Sequence, residues 1–385
     1  MKSDRTPGSA ADSAVDAGRR NVLKAGGGLV IGFTWLAGSK ALAFATPTPQ
    51  PGDAAMARVD GNPAFAPNAF IRIGTDGSIR LVMPQVEMGQ GSYTGQATLL
   101  AEELGVDLDQ VRLEHAPASD ELYGLAIQGG EVTGGSNTIR ACWELLRQAG
   151  AVGRMMLVGA AAKRWGVPPE QCRVERGVIH HDASRRSLGF GAVAADAAHQ
   201  PVPKTPELLS SRSFRLLGRS QRRIDTPAKS DGSATFGIDV RVPGMKVAAV
   251  ALSPVIGGKV THVDDRAARA LRGVVDVVVL PDAVAVIAGD YWTASKGVAA
   301  LKVRWDGGGN TKIASSAIVA SMAEASKSGK ALVGKQTGSG VRPGSKKIEA
   351  EYGSAMLAHA TMEPMNTVVS VRKEACEIWV GTQVP

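Results

Sequence analysis

The chain is poor in cysteine, in aromatic residues and in long apolar runs. It holds three cysteines in 385 residues, Cys142, Cys172 and Cys376, and none are paired at Cys-x-x-Cys spacing. Such a set cannot hold an iron–sulfur cluster or attach haem covalently. The three are expected to be buried free thiols. Six histidines include no set at metal-ligand spacing, and His180-His181 reads as a solvated loop. Aromatics are 4% of residues, and the formal charge of +8 is spread out, with Arg215, Arg219, Arg222 and Arg223 as its one short cluster. A nucleic-acid surface interleaves basic residues with aromatics, so no nucleic-acid partner is expected.

Glycine is what the chain has in quantity, 46 residues of it, which implies many turns and close backbone contacts. Near the start, Arg19-Arg20-Asn21-Val22-Leu23-Lys24 precedes a small, weakly apolar run over 25–37, and Ala41-Leu42-Ala43 offers a cleavage site. This is an export pattern rather than a membrane span. The paired arginines resemble a twin-arginine signal over 1–45, with Val22 where Phe is often found, and imply a periplasmic protein exported folded. An ordinary secretory signal, or an uncleaved one that keeps the protein at the membrane, fits the same pattern. Residues 46–67, rich in Pro, Ala and Gly, read as a linker.

The most informative stretch is Val86-Glu87-Met88-Gly89-Gln90-Gly91, between a strand-like run over 79–83 and a helix-like one over 96–104. Two glycines just before a helix let backbone approach an anion, and the first-turn N–H groups and helix dipole favour phosphate. Gln90 can donate and accept at once, which suits the edge of a heterocycle. A plain tight turn would read the same way, and the glycine spacing misses the dinucleotide fingerprint.

The segment around it resembles the large subunits of molybdenum hydroxylases in the xanthine dehydrogenase and aldehyde oxidase family. Glu87-Met88-Gly89-Gln90-Gly91 with Ala101-Glu102-Glu103-Leu104-Gly105 carries the resemblance, as does Thr133-Gly134-Gly135-Ser136 with Ile139-Arg140-Ala141-Cys142-Trp143-Glu144. Phe236-Gly237-Ile238-Asp239-Val240, Leu301-Lys302-Val303-Arg304-Trp305-Asp306, His359-Ala360-Thr361-Met362-Glu363-Pro364 and Gly381-Thr382-Gln383 extend it. The order of the blocks is similar to that of the isoquinoline 1-oxidoreductase branch, in its beta subunit.

The resemblance implies an α+β chain: part of a molybdopterin-binding domain over 68–185, a connecting segment over 186–230, a small hammerhead-type α/β domain over 231–310, and over 311–385 the start of a second molybdopterin-binding domain. It implies molybdopterin cytosine dinucleotide with molybdenum held by the pterin, and oxidation of an aldehyde or N-heteroaromatic. Met88, Gly89, Gln90 and Gly91 would face the pterin, with Thr133, Gly134, Gly135 and Ser136 lining the other side. Gln383 matches a glutamine whose amide donates to a molybdenum oxygen. The residues alone also fit an ordinary helix cap at 133–136 and an exposed strand-end amide at Gln383. His359, Glu363 and Pro364 are assigned to packing. The family's general-base glutamate, which follows much later, has no counterpart here, so the chain reads as a first half. Implied partners are a small two-iron two-sulfur subunit, a cytochrome c and the missing half. A noncatalytic assembly half and, more remotely, a periplasmic solute-binding protein are the competing readings.

Overall fold

A computed structural model describes residues 56–59, 62–328 and 348–385, with scattered positions between 332 and 346. The export pattern and most of the linker lie outside the described residues. Helices and strands are mixed along the chain, which divides into two compact units, Met1–Ala234 with Gly381–Pro385 and Thr235–Val380.

The first unit is built on a five-stranded sheet in the order β1 (Met56–Val59), β2 (Asn62–Asn68), β3 (Ile71–Gly74), β4 (Ile79–Met83), β5 (Val111–His115). The β3–β4 hairpin closes on Asp76 and Gly77. Ser78 N–H donates to the Asp76 carboxylate at 2.9 Å, and Gly77 takes φ 87°, a conformation glycine adopts without strain. Strands β4 and β5 are parallel, with helix α1 (Ser92–Leu104) crossing between them. A short turn, α2 (Asp120–Tyr123), follows β5. Helix α3 (Thr138–Trp165) then lies against α1 and ends at Gly166, φ 68°. The small residues of α3 serve that contact, because a Cβ on Gly150 would stand 2.6 Å from the Leu100 carbonyl oxygen. The core is one cluster from the sheet and both helices, with Ile71, Leu81, Met83, Leu100, Leu104, Leu146 and Leu157 fully buried.

Several expectations are corrected here. His180 and His181 are not a solvated loop. They end β7 (Val178–His181), which pairs with β6 (Arg173–Glu175) and β8 (Arg186–Gly189). The alternation of the strand turns His181 inward, where its ring meets Ser184 Oγ at 2.7 Å and Gln171 Oε1 at 3.2 Å. The segment expected only to connect, over 186–230, contains β8 and helix α4 (Phe190–Ala197), whose Phe190, Val193, Ala194 and Ala197 are buried. Helix α5 (Thr226–Asp231) closes it. Of the cysteines, only Cys142 is buried; Cys172 is half-buried and Cys376 exposed.

The second unit begins with β9 (Val247–Leu252) and β10 (Lys259–Asp264). A single helical turn, α6 (Arg266–Arg269), comes next. Strands β11 (Val274–Val279) and β12 (Ala283–Ala288), helix α7 (Tyr291–Ala300) and strand β13 (Lys302–Asp306) follow. Strand order is β11-β12-β9 in one sheet and β10-β13 in another. Only the central strand β12 is a buried run. Strands β9 and β11 each keep an exposed face, because no described layer of the unit covers it. Helix α8 (Ser315–Ser328) and the hairpin β14 (Thr367–Arg372) with β15 (Ala375–Val380) complete the unit. No strand is formed at the described positions 348–352.

Candidate functional site

Parallel pairing of β4 and β5 explains why two loops far apart in sequence meet. Both leave the carboxyl ends of adjacent parallel strands, the place where α/β sheets bind ligands. The first runs from Met83 to the start of α1, the second from His115 to the start of α3. Val86 N–H donates to Thr133 Oγ1 at 2.9 Å, which ties the two together. The loops that carry 88–91 and 133–136 are therefore joined at Val86 and Thr133, within the first unit.

The first loop is fixed from below by two buried glutamines. Gln96, on α1, accepts from Gln85 N–H at 3.0 Å and donates to the Gln85 carbonyl at 2.9 Å. Its outer part is exposed, with Met88 at 56%. Gly89 and Gly91 take φ 107° and 83°, and the space where a Cβ would stand is open at both. Their amides, however, do not wait for an outside anion. The Glu87 carboxylate accepts from Gly89 N–H at 2.8 Å, Gly91 N–H at 2.9 Å and Tyr93 N–H at 3.0 Å. The chain thus supplies its own anion at the α1 N-terminus, and the expectation that these amides cradle phosphate is corrected. Gln90 is also engaged, accepting from Met88 N–H at 2.7 Å and donating to the Val86 carbonyl at 3.0 Å. Its amide shapes the loop from an exposed position.

The second loop is different. Thr133 is buried, while Gly135 and Ser136 are exposed. Gly135 has φ 59° and Ser136 φ 54°. A non-glycine residue in the left-handed region carries strain, which often marks a functional position. Among the described residues nothing accepts from the amides of Gly134, Gly135 or Ser136. Asn137, the residue before α3, makes no side-chain cap. Gln128 Nε2 donates to the Gly134 carbonyl at 2.8 Å, and its Oε1 is buried with no partner among the described residues.

Gln383 reaches the same place. Its carbonyl accepts from Thr133 N–H at 2.8 Å and its Nε2 donates to the Thr133 carbonyl at 2.6 Å. It borders the second loop with one amide hydrogen committed. Glu363, assigned to packing, accepts from Asn366 Nδ2 at 3.1 Å and Ile238 N–H at 3.3 Å in the second unit.

Charge gathers beside the first loop. Arg223 Nη2 lies 3.0 Å from Glu87 and 3.0 Å from Asp225. Burial pushes the Asp225 carboxyl up, but Arg223 and Lys229 outweigh it and hold it at about 2. The Tyr93 phenol is pushed up to about 12 by burial, aided by Glu87 and Asp225. Sequence reasoning noted Arg223 only as part of a basic cluster and gave Glu87 no role. Among the described residues no group of three or more His, Cys, Asp or Glu could hold a metal ion.

Comparison with known proteins shows the family. Residues 12–255 match the family model of the molybdopterin cofactor-binding domain. The chain is 32% identical to the isoquinoline 1-oxidoreductase beta subunit of Brevundimonas diminuta, over 84% of this chain and 47% of that one. It is 30% identical to a membrane-bound aldehyde dehydrogenase of Gluconacetobacter polyoxogenes, named for pyrroloquinoline quinone, over 84% of this chain and 43% of that one. Identity to a nicotinate dehydrogenase subunit of Pseudomonas putida is 29%, over 82% of this chain and 27% of that one. The chain thus spans about half or less of the curated relatives it matches. A solved quinoline 2-oxidoreductase from Pseudomonas putida 86 matches 36% of this chain and 18% of its own at 22% identity and TM-score 0.26, too slight a likeness to align the folds. With more than half its length matched, this chain belongs to the molybdopterin cofactor-binding domain family and is a molybdenum hydroxylase large-subunit-like protein.

Proposed function

We propose that this chain is a cofactor-binding portion of an exported molybdenum hydroxylase large subunit, acting on an aldehyde or N-heteroaromatic. The observation that carries the reading is the pairing of the two loops at the ends of β4 and β5. One presents open backbone at Gly89 and Gly91, the other the unclaimed amides of Gly134, Gly135 and Ser136. That donor set fits an anionic dinucleotide with a heterocyclic head, which we take to be molybdopterin cytosine dinucleotide. The metal would arrive on the pterin, its own organic ligand.

When bound, that group supplies the two-electron oxidation that adds a water-derived oxygen at an electron-poor carbon. The chain's own part is to bind and orient. The amides at 134–136 receive phosphate oxygens, where the α3 dipole favours negative charge. Gln90 and Met88 would hold the heterocycle, and Gln383, with its second amide hydrogen, would donate to the bound group. On this reading 231–310 is the hammerhead-type domain, 311–385 begins a second molybdopterin-binding domain, and a small two-iron two-sulfur subunit and a cytochrome c carry electrons away. The pair Arg19-Arg20 directs folded export, so Arg19→Lys with Arg20→Lys should trap the protein in the cytoplasm.

The test is purification from a host that makes the cofactor, then measurement of molybdenum, of pterin fluorescence after oxidation and of released cytidine nucleotide. Equimolar molybdenum and pterin are expected. Pyrroloquinoline quinone in their place, or no cofactor at all, would overturn the proposal.

A further inference from the structure

Residues 207–225 contain little regular structure, yet they are fastened along the length of α1. At the C-terminal end of α1 the Glu103 carboxylate accepts from Leu209 N–H at 3.0 Å, and Arg147, paired with Glu103 at 2.6 Å, donates to the Leu209 carbonyl at 2.7 Å. Glu102 accepts from three successive amides, Arg215 at 2.9 Å, Leu216 at 2.7 Å and Leu217 at 2.8 Å. Toward the other end, Thr94 Oγ1 accepts from Ile224 N–H at 3.1 Å. The segment is a strap that runs antiparallel to α1. Both glutamates that hold it are buried, and buried carboxylates are tolerated only when so fully partnered.

The strap ends on the first loop. Arg223 Nη1 donates to the Gly89 carbonyl at 2.8 Å while Nη2 meets Glu87, whose side chain is 4% exposed. Asp225 holds the other edge of the guanidinium, with contacts of 3.2 and 3.0 Å. Glu87 in turn holds the amides of Gly89, Gly91 and Tyr93, so Arg223 grips the loop at both its carbonyl and its internal anion.

We propose that Arg223 is a positioning residue, which fixes the 88–91 loop in the shape that retains the pterin without touching the ligand itself. The proposal rests on the reading of that loop as cofactor-facing. A lysine cannot replace the fork, because one ammonium cannot span Glu87, Asp225 and the Gly89 carbonyl together.

Two measurements on the full chain separate this from the parent reading. Amide hydrogen exchange at Gly89, Gly91 and Tyr93, read on cofactor-free protein, reports the loop alone. Pterin and molybdenum retained per chain after dialysis report binding. Arg223→Ala should speed exchange at the three amides about tenfold, the effect of losing one charged hydrogen bond, and lower retention by a similar factor. Arg223→Lys should fall between, and Arg173→Ala, which removes surface pairs with Glu175 and Asp182, should change neither. Unchanged exchange in Arg223→Ala, or normal retention despite faster exchange, would overturn the positioning role while leaving the proposed function standing. A wild-type chain that retains no pterin would overturn both.

Discussion

In the first unit, α1 and α3 approach until Gly150 leaves no room for a methyl group, and two glutamates are sealed inside with all their partners. In the second, β9 and β11 flank an alanine-rich central strand and leave Val250 and Leu252 at 52% and 71% exposure. The first unit buries charge because its long-range partners are present; the second leaves apolar surface bare. A unit with one continuous core melts as its own transition, whereas one with small separate clusters has little to lose.

Calorimetry on the full chain can break that comparison. Glu103→Ala leaves the Arg147 guanidinium buried without its carboxylate, so the first unit should lose about 3–5 kcal/mol with the second transition unmoved. Movement of both would show the two to be one cooperative body. Val286→Ala tests the other side. Val286 sits in the small core of β11, β12 and α7, and its loss should cost about 1–2 kcal/mol, lowering the second transition alone.

Acid sharpens the comparison further. The Asp225 carboxyl is held at about 2, below its ordinary value of 3.8. Its contribution is therefore complete above pH 4 and is lost as pH falls toward 2. Asp225→Asn should flatten that part of the stability profile of the first unit, read by melts at pH 2 to 5, and leave the second unit's profile as it was. The smallest effect belongs to Leu252→Ser on the bare sheet face, where a change within about 0.5 kcal/mol is expected. A larger loss would mean that the face is covered in solution.

Much of this architecture was legible in the sequence where local chemistry decides it. Asp76-Gly77 announced the β3–β4 turn, Gly166 with Pro168-Pro169 ended α3, and the small residues of α3 foretold its close contact. The two glycine loops were legible as a pair through resemblance, and the parallel strands give the reason they meet. What escaped depends on partners far along the chain. Nothing near Glu87 shows that it will occupy the amides beside it, and nothing near Arg223 shows that it will close over them. His180-His181 misled because a two-residue polar pair says nothing about the strand that continues through it. Likewise, runs of valine in β9 and β11 give a strand but not which face another layer will cover.

The clasp between Gln383 and Thr133 joins positions 250 apart, and it sets an order of events. A ribosome finishes α1, α3 and the strap long before it reaches Gly381–Pro385, which belong to the first unit. The whole of Thr235–Val380 is therefore an excursion that must be made, and its ends drawn together, before the second loop gains its last hydrogen bonds. Loop closure of that length adds only slowly to the entropy cost when the excursion is long, but it delays the contact in time. The Gln383 side of that loop forms only once the excursion has closed.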